Sequence, residues 1–497
     1  MDKKITWQNA LFWLIALAYL GYLALRLMRI PMTQDEVATC YNHVPRAVWD
    51  ILTYAKDAVP NNHILNTLCI KLVTGLFGMD PVTARIPVFL IGGVFYTLSA
   101  FALARRIGPN DFLKILSLVV LLGNPFMSEF FALARGYGMA IGLQMTAMYF
   151  SWQFVGNRRS GHLAMAVLTA GLAVWASFTV LYFYLPWALL MGLYILDRSK
   201  NSDQWKGQLA ILVTGAVLLA LVCFLPVSRM HSDDQLHFWG TTGFVQETAF
   251  PLIRSSILSH PYFDQYTLEG LFGLIAGFTL VSCLLAIWCW YKNKWKPGED
   301  VWFFAAFLFA GTITTNLLIV HILDIPFLNP RTAIFYYPPF AMLLVGVGIA
   351  LWEKYGKRAY WFLIPLGLFT MVNFDNNRNL KQSYEWPYDR GTIKILDFIK
   401  AAYVSENRTE PFTLDCHWLH QNSLHFHLEF DPAGYASYIR MPNHYHGNEP
   451  PRADTDFYYT ENWDEIVQIA DRYTPVLNIE YDRFVLMRRR APEFEIR

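Results

Sequence analysis

Long apolar runs separated by short polar segments fill most of this chain. A helix of about 20 apolar residues crosses the hydrocarbon core of a bilayer, and runs near that size recur up to residue 374. A soluble core does not absorb so many apolar runs. The pattern predicts about eleven transmembrane helices, near 8–28, 86–105, 112–126, 137–155, 161–176, 179–196, 206–227, 268–291, 301–322, 334–352 and 358–374.

Basic residues mark one side of this series. Lysine and arginine collect in alternate connections, as in Arg105/Arg106/Lys114, Arg158/Arg159 and Lys354/Lys357/Arg358. The positive-inside rule makes that side the cytoplasm. We therefore predict a multi-pass protein of the inner (plasma) membrane, with its N-terminus in the cytoplasm and its C-terminus outside it.

The connections on the opposite side have structure of their own. In the first outer segment, 29–85, residues 44–55 and 63–77 are apolar along one stripe, which predicts two interfacial helices. After residue 374 the chain becomes polar, with helical periodicity at 392–403 and strand-like stretches at 411–415, 425–430, 456–459 and 484–488. We predict a transmembrane domain, 1–374, and an extracytoplasmic α/β domain, 375–497.

Composition narrows the class of protein. The chain of 497 residues is 54% hydrophobic and 16% charged, with a formal net charge of +1. That balance gives no basic excess for binding nucleic acid. The six cysteines form no CxxC motif, which argues against a disulfide framework.

An acidic pair, Asp35 and Glu36, follows the first predicted span in the run Pro-Met-Thr-Gln-Asp-Glu. A carboxylate at the outer membrane boundary is suited to act as a general base. Two neighbouring carboxylates point in different directions, so that one can take a proton while the other orients a substrate. The alternative is an ordinary solvated loop.

Asn62 and His63 open the second predicted interfacial helix. Asn61 or Asn62 can cap this helix, which would place His63 at its positive end, where phosphate is attracted. The alternative is that Asn62 only caps the helix and that His63 is exposed.

Three arginines, Arg85, Arg135 and Arg331, are predicted at the outer boundary, where arginine is depleted. Each can grip a phosphate in a two-point contact, and aromatic residues such as Tyr137 accompany them. Each could instead extend to lipid headgroups.

The tail carries six histidines, which include two His-x-His pairs, His425/His427 and His444/His446. On a strand, each pair would place both rings on one face, as metal ligands sometimes are. Because no cysteine or carboxylate joins them at a recurrent spacing, a polar surface without metal is favoured.

These features together resemble the C-type (GT-C) glycosyltransferases, which use lipid-linked sugars. The resemblance rests on the acidic pair after the first span, Asn-Asn-His-Ile-Leu, Ala-Arg-Ile-Pro, Ala-Arg-Gly-Tyr and Arg-Thr-Ala-Ile-Phe-Tyr-Tyr-Pro, in this order and on one side. The chain is most similar to the branch that contains protein O-mannosyltransferases and the lipid A aminoarabinose transferase.

The resemblance implies an inverting transfer of a hexose or pentose from a polyprenyl-phosphate carrier to a protein, lipid or glycan acceptor outside the cytoplasm. It makes Asp35 the catalytic acidic residue, which deprotonates the acceptor, with Glu36 as its helper. The donor phosphate would meet His63, Asn62, Arg135, Tyr137 and Arg331, and more weakly Arg85. Beyond the lipid-linked donor, no obligatory cofactor or metal is expected.

Two other classes compete with this interpretation. A transporter or flippase for a lipid-linked substrate calls for ionisable residues in the middle of spans, whereas here they lie near the outer boundary. A membrane scaffold that binds periplasmic partners explains the tail but leaves the acidic pair and the arginines without a role.

Overall fold

The predicted spans fall on helices. The computed structural model describes residues 7–56, 59–197, 204–237, 240, 242–257, 264–292, 300–441, 455–479 and 484–490. The helices up to residue 377 are α1 (Trp7–Arg29), α2 (Gln34–Ala38), α3 (Val48–Thr53), α4 (Ile64–Phe77), α5 (Pro81–Val88), α6 (Phe95–Ile107), α7 (Asp111–Leu122), α8 (Pro125–Phe130), α9 (Gly136–Asn157), α10 (Ser160–Ala176), α11 (Leu181–Asp197), α12 (Trp205–Ser232), α13 (Phe250–Ile257), α14 (Gln265–Lys292), α15 (Val301–Leu323), α16 (Tyr337–Tyr355) and α17 (Tyr360–Asn377).

Each of the eleven predicted spans overlaps one or two of these helices. Seven stretches of the described chain are long and apolar enough to cross a membrane, judged by length and composition, and the last of them, Ile334–Asn377, contains both α16 and α17. The 12-residue α7 is short for a crossing. The predicted polytopic helical class is confirmed, and the number eleven stays a prediction.

The two predicted interfacial helices are present with different lengths. The stretch 63–77 corresponds closely to α4. The stretch 44–55 contains only the short α3, which ends at Thr53 and is followed by Tyr54 in the left-handed conformation with φ of 57°.

The C-terminal part combines helices and a sheet. Its elements are α18 (Thr392–Ser405), β1 (Phe412–Cys416), α19 (Trp418–Phe430), β2 (Ile439–Arg440), β3 (Phe457–Thr460), α20 (Trp463–Ile469), β4 (Tyr473–Ile479) and β5 (Phe484–Arg489). The strand order is β2-β1-β3-β5-β4, in which β1 runs parallel to β2 and β3, and β5 runs antiparallel to β3 and β4. Apolar residues of α18 and α19, among them Ile395 and Leu424, form a core with Leu414 and Leu486 of the sheet.

The strand predicted at 425–430 is wrong, because these residues end the 13-residue helix α19. Six residues of mixed polarity do not distinguish a strand from one side of a helix. On a helix, residues two apart point to different sides, so His425 and His427 do not share a face.

The described chain divides into two compact units, and both are discontinuous in sequence. One consists of Met1–Arg26, Arg46–Cys69 and Ile86–Arg378, and contains most of the long helices. The other consists of Leu27–Pro45, Ile70–Arg85 and Asn379–Arg497. We call them the helical unit and the C-terminal unit. Asp35, Glu36 and Arg85 belong to the C-terminal unit, although all three precede its first strand, which begins at Phe412, by more than 300 residues of sequence.

Candidate functional site

The acidic pair opens the short helix α2 within the C-terminal unit. Thr33 caps this helix, and the Thr33 N–H donates to Oε2 of Glu36 at 2.8 Å in a capping box. Asp35 is half-buried, whereas Glu36 is fully buried. The two neighbouring carboxylates therefore have different environments, and their roles stay predictions.

Arg85 holds the Glu36 carboxylate through a buried ion pair. The Arg85 side chain is fully buried, and its Nε and Nη2 donate to the two Glu36 oxygens at 2.7 and 2.6 Å. Its remaining hydrogen bonds go to the carbonyls of Leu27, Ile30 and Pro31. These five bonds use all five guanidinium N–H groups. The predicted contact of Arg85 with phosphate stays a prediction. In this arrangement Arg85 has no N–H group left to donate to a phosphate.

Side chains from the C-terminal unit's sequence 388–427 form hydrogen bonds with the segment before Asp35. The Met32 N–H donates to Nε2 of His427 at 3.0 Å, and the Ser423 hydroxyl donates to the Met32 carbonyl at 2.6 Å. The Gln34 N–H donates to Oδ2 of Asp389 at 2.9 Å, and the Tyr388 hydroxyl donates to the Gln34 side chain at 2.7 Å. The start of α2 is therefore held in place by residues that are far from it in the sequence.

The tail histidines are not a polar surface throughout. His420 and His427 are buried, which corrects the prediction for these two residues. Burial lowers the pKa of His420 to about 3, and it also lowers the pKa of His427, although Asp431 opposes the shift of His427. His444 and His446 lie outside the described residues.

Three of the predicted phosphate-binding residues come together in the helical unit. Arg135 precedes α9 and is buried, and its guanidinium lies 5.6 Å from the centre of the Tyr137 ring. The His63 ring meets the same tyrosine edge-on, with 4.6 Å between ring centres. A Cβ atom at Gly136 would lie 2.5 Å from the His63 side chain, so this approach requires glycine.

The Asn62 side chain bonds within the first outer segment, and its predicted contact with phosphate stays a prediction. Its side-chain amide donates to the Ile51 carbonyl at 3.2 Å, and its oxygen accepts from the Thr67 hydroxyl at 3.0 Å. His63 immediately precedes α4 and is 7% exposed, so the alternative of an exposed histidine is wrong. Arg331 is half-buried in the Asn329–Thr332 turn.

The helical unit also contains a large apolar cavity of about 760 Å³. Residues from α6, α7, α8 and α13 to α17 line it, among them Phe272, Phe278, Phe309, Phe340 and Phe362. Its polar lining is largely used inside the protein, because Tyr337 donates to Leu252 and Asn373 donates to Ser256. Such a cavity has the size of ordinary ligand sites and the chemistry to hold a hydrocarbon chain.

Two sets of residues were not predicted from the sequence. Arg26 and Glu129 form a buried ion pair at 3.3 Å in the helical unit, and Asp389, Ser423 and His427 hold the start of α2. The only sequence signal for Asp389 is an acid in the aromatic run Trp-Pro-Tyr-Asp-Arg. Among the described residues, no group of three or more His, Cys, Asp or Glu is arranged to hold a metal ion.

Comparison with known proteins gives matches at the level of structure. No protein-family model matches the chain, and no curated protein does. The chain is similar to ArnT from Cupriavidus metallidurans in the apo state, with a TM-score of 0.49 and 12% identity over 96% of this chain and 97% of that one. It is also similar to the ArnT structure bound to undecaprenyl phosphate, with a TM-score of 0.49 and 14% identity over 98% and 99%.

A second similar protein is archaeal. The oligosaccharyltransferase AglB from Archaeoglobus fulgidus, in complex with an inhibitory peptide and a dolichol-phosphate, matches with a TM-score of 0.44 and 10% identity over 93% of this chain and 70% of that one. Both similar proteins are C-type (GT-C) enzymes, the class that the motifs of this chain resemble. Because these TM-scores are 0.49 or lower, we infer the function from this chain's own residues.

Proposed function

We propose that this protein is an inverting glycosyltransferase that moves a sugar from a polyprenyl-phosphate carrier to an acceptor outside the cytoplasm. The observation that carries the proposal is the first turn of α2, where half-buried Asp35 adjoins the fully buried ion pair of Glu36 and Arg85. The buried pair gives Asp35 a fixed support, while Asp35 itself keeps access to solvent and substrate.

The reaction needs a base and a phosphate-binding group. A phosphate is a good leaving group, so the enzyme has to remove a proton from the acceptor hydroxyl and stabilise the charge that develops on the departing phosphate. Asp35 takes the first role. Glu36 accepts the capping bond from the Thr33 N–H and forms the ion pair with Arg85, and both interactions orient α2. In this way Glu36 helps the base, Asp35.

Arg135, His63 and Tyr137 are the candidates for the phosphate. Arginine offers a planar fork of N–H groups to phosphate oxygens, and the Tyr137 ring lies against both Arg135 and His63. Asn62 positions the turn before α4, and Arg331 is a further cationic candidate.

The apolar cavity suits the carrier lipid. A polyprenyl chain is a long branched hydrocarbon that gains from transfer into an apolar environment, and the cavity is lined by aromatic and aliphatic side chains. The size and chemistry of this cavity favour an enzyme for lipid-linked sugars over one for soluble nucleotide sugars.

The predicted topology and domain division belong to the same proposal. In this proposal the N-terminus is cytoplasmic and the domain from residue 375 is extracytoplasmic, so that Asp35 acts outside the cytoplasm on a lipid-linked donor. The acceptor is a protein, a lipid or a glycan.

The proposal is tested by donor turnover in the purified protein in nanodiscs. A panel of polyprenyl-phosphate sugars is offered with a cell-envelope extract as acceptor, and release of polyprenyl phosphate and the anomeric configuration of the product are measured. Acceptor-dependent release with inversion supports the proposal. Donor binding without release, together with movement of the donor between leaflets of proteoliposomes, would instead identify a flippase.

Filling the cavity is expected to weaken binding of long-chain donors. Ala341 lines the cavity, and a tryptophan there would occupy space that the carrier chain needs. A loss of about 1.4 kcal/mol in donor binding would raise the KM for a long-chain donor roughly tenfold. A short-chain prenyl-phosphate donor is expected to keep its KM. Steady-state kinetics with the two donors measure the difference.

Ala220→Trp is the matched control, because Ala220 lies exposed on α12 and does not line the cavity. Equal effects of Ala341→Trp on both donors would show that the cavity does not bind the carrier chain.

A further inference from the structure

Four side chains from the C-terminal sequence hold the segment Met32–Gln34. His427 and Ser423 bond the backbone of Met32, Asp389 bonds the Gln34 N–H, and Tyr388 bonds the Gln34 side chain, at distances between 2.6 and 3.0 Å. We call these four residues the clamp. All four and the segment they hold belong to the C-terminal unit.

Among the four clamp residues, Asp389 bonds the backbone N–H that lies nearest to Asp35 in the sequence. Its Oδ2 accepts from the N–H of Gln34, which is the first residue of α2, and Asp35 is the second. The N–H groups of a first helical turn have no partner within the helix, so an acceptor there fixes the helix start. The bond therefore sets the direction in which α2 leaves the preceding segment.

The Asp389 carboxyl is built into the protein interior. It is 2% exposed, and its Oδ1 is buried without a hydrogen-bond partner among the described residues. Burial raises the pKa of Asp389 well above its usual range, and the carboxylates of Glu36, Asp35 and Glu461 raise it further. The Gln34 N–H, which donates to Asp389, opposes this shift. An asparagine oxygen can accept the same bond.

We infer that Asp389 is a positioning residue for Asp35: by holding the Gln34 N–H, it fixes the turn that aims the Asp35 carboxylate at the acceptor. This inference rests on the proposed function of Asp35. It also gives the C-terminal sequence a task in catalysis, since the clamp orders the loop that carries the base.

Substitutions at Asp389 separate positioning from general stability. Asp389→Ala is expected to lower kcat by up to about 10²-fold, the cost of misplacing a reacting group by about 1 Å, with little change in the KM for the donor. Asp389→Asn keeps the size and an oxygen acceptor, and is expected to restore kcat close to that of the wild type. Steady-state release of polyprenyl phosphate measures both constants, and circular dichroism checks that the variants fold.

A change in the partner backbone tests the bond itself. Proline fits the first position of a helix, and Thr33, with φ of −83° and ψ of 156°, already has the extended conformation that a residue before proline needs. Gln34→Pro removes the N–H and places ring atoms against Asp389, so it should lower kcat strongly. In the double variant with Asp389→Ala the ring has room, and kcat should be no lower than in Asp389→Ala alone.

Gln34→Ala is the control, because it keeps the N–H and loses only the bond to Tyr388. The inference would be overturned if the losses in kcat of Gln34→Pro and Asp389→Ala multiplied in the double variant. It would also be overturned if Asp389→Asn were as slow as Asp389→Ala. A wild-type protein that releases no carrier from any donor would overturn the proposed function instead. If the alanine variant does not fold, the Asn variant and the Gln34→Ala/Gln34→Pro comparison still decide the question.

Discussion

Asp35→Asn is expected to lower kcat by about 10²–10⁴-fold, the range found when a general base is removed. The asparagine keeps the size of the side chain and loses the ability to take a proton from the acceptor. The Asp35 carbonyl, which accepts from the Thr39 hydroxyl at 3.0 Å, is untouched, so α2 should keep its structure. Because the lost interaction belongs to the transition state, the KM for the donor should change little.

The measurement is the rate of polyprenyl-phosphate release with a productive donor. Asp50→Asn is a matched control, because Asp50 lies in the same first outer segment and pairs at 3.0 Å with Lys56, whose side chain is 66% exposed. The control should turn over like the wild type, since Asp50 has no part in the proposed chemistry and an ion pair with one exposed partner contributes little. An Asp35→Asn variant that is as fast as the control would move the base to another residue.

The helices could be predicted because their signals are local. Apolar runs and their spacing are present within each segment, and the spans 301–322 and 206–227 match α15 and α12 to within a few residues. The period of a six-residue stretch is a much weaker signal, which is why 425–430 was predicted as a strand.

The site could be predicted only as a set of separate residues. The sequence placed Glu36 and Arg85 at the same boundary, yet nothing in it showed that they form a pair across 49 positions. Asp389 is 355 positions from Gln34, and its role depends on tertiary packing alone. For His63, Arg135 and Tyr137, the order of the motifs suggested a common site, and the contacts around Gly136 bring these three together.

Arg85→Leu is expected to lower the free energy of unfolding by about 3–5 kcal/mol, the usual cost of leaving one charge of a buried ion pair without its partner. Glu36 would remain buried without its arginine partner, and the carbonyls of Leu27 and Ile30 would lose the Arg85 donor. Arg85→Lys keeps the charge but has three donors in place of five, so its loss should be intermediate. Urea unfolding in detergent, followed by tryptophan fluorescence, measures the change.

Arg488→Leu provides the matched control, since Arg488 forms a similar two-point pair with Glu406 at 2.7 and 2.8 Å, with both side chains 36% exposed. This exposed pair should contribute about 0–1 kcal/mol. In the double variant Glu36→Leu/Arg85→Leu no charge is left buried, so the loss should be smaller than the sum of the two single losses. Additive losses would mean that Arg85 stabilises the protein through the backbone carbonyls alone, and that the support of Asp35 does not depend on the ion pair.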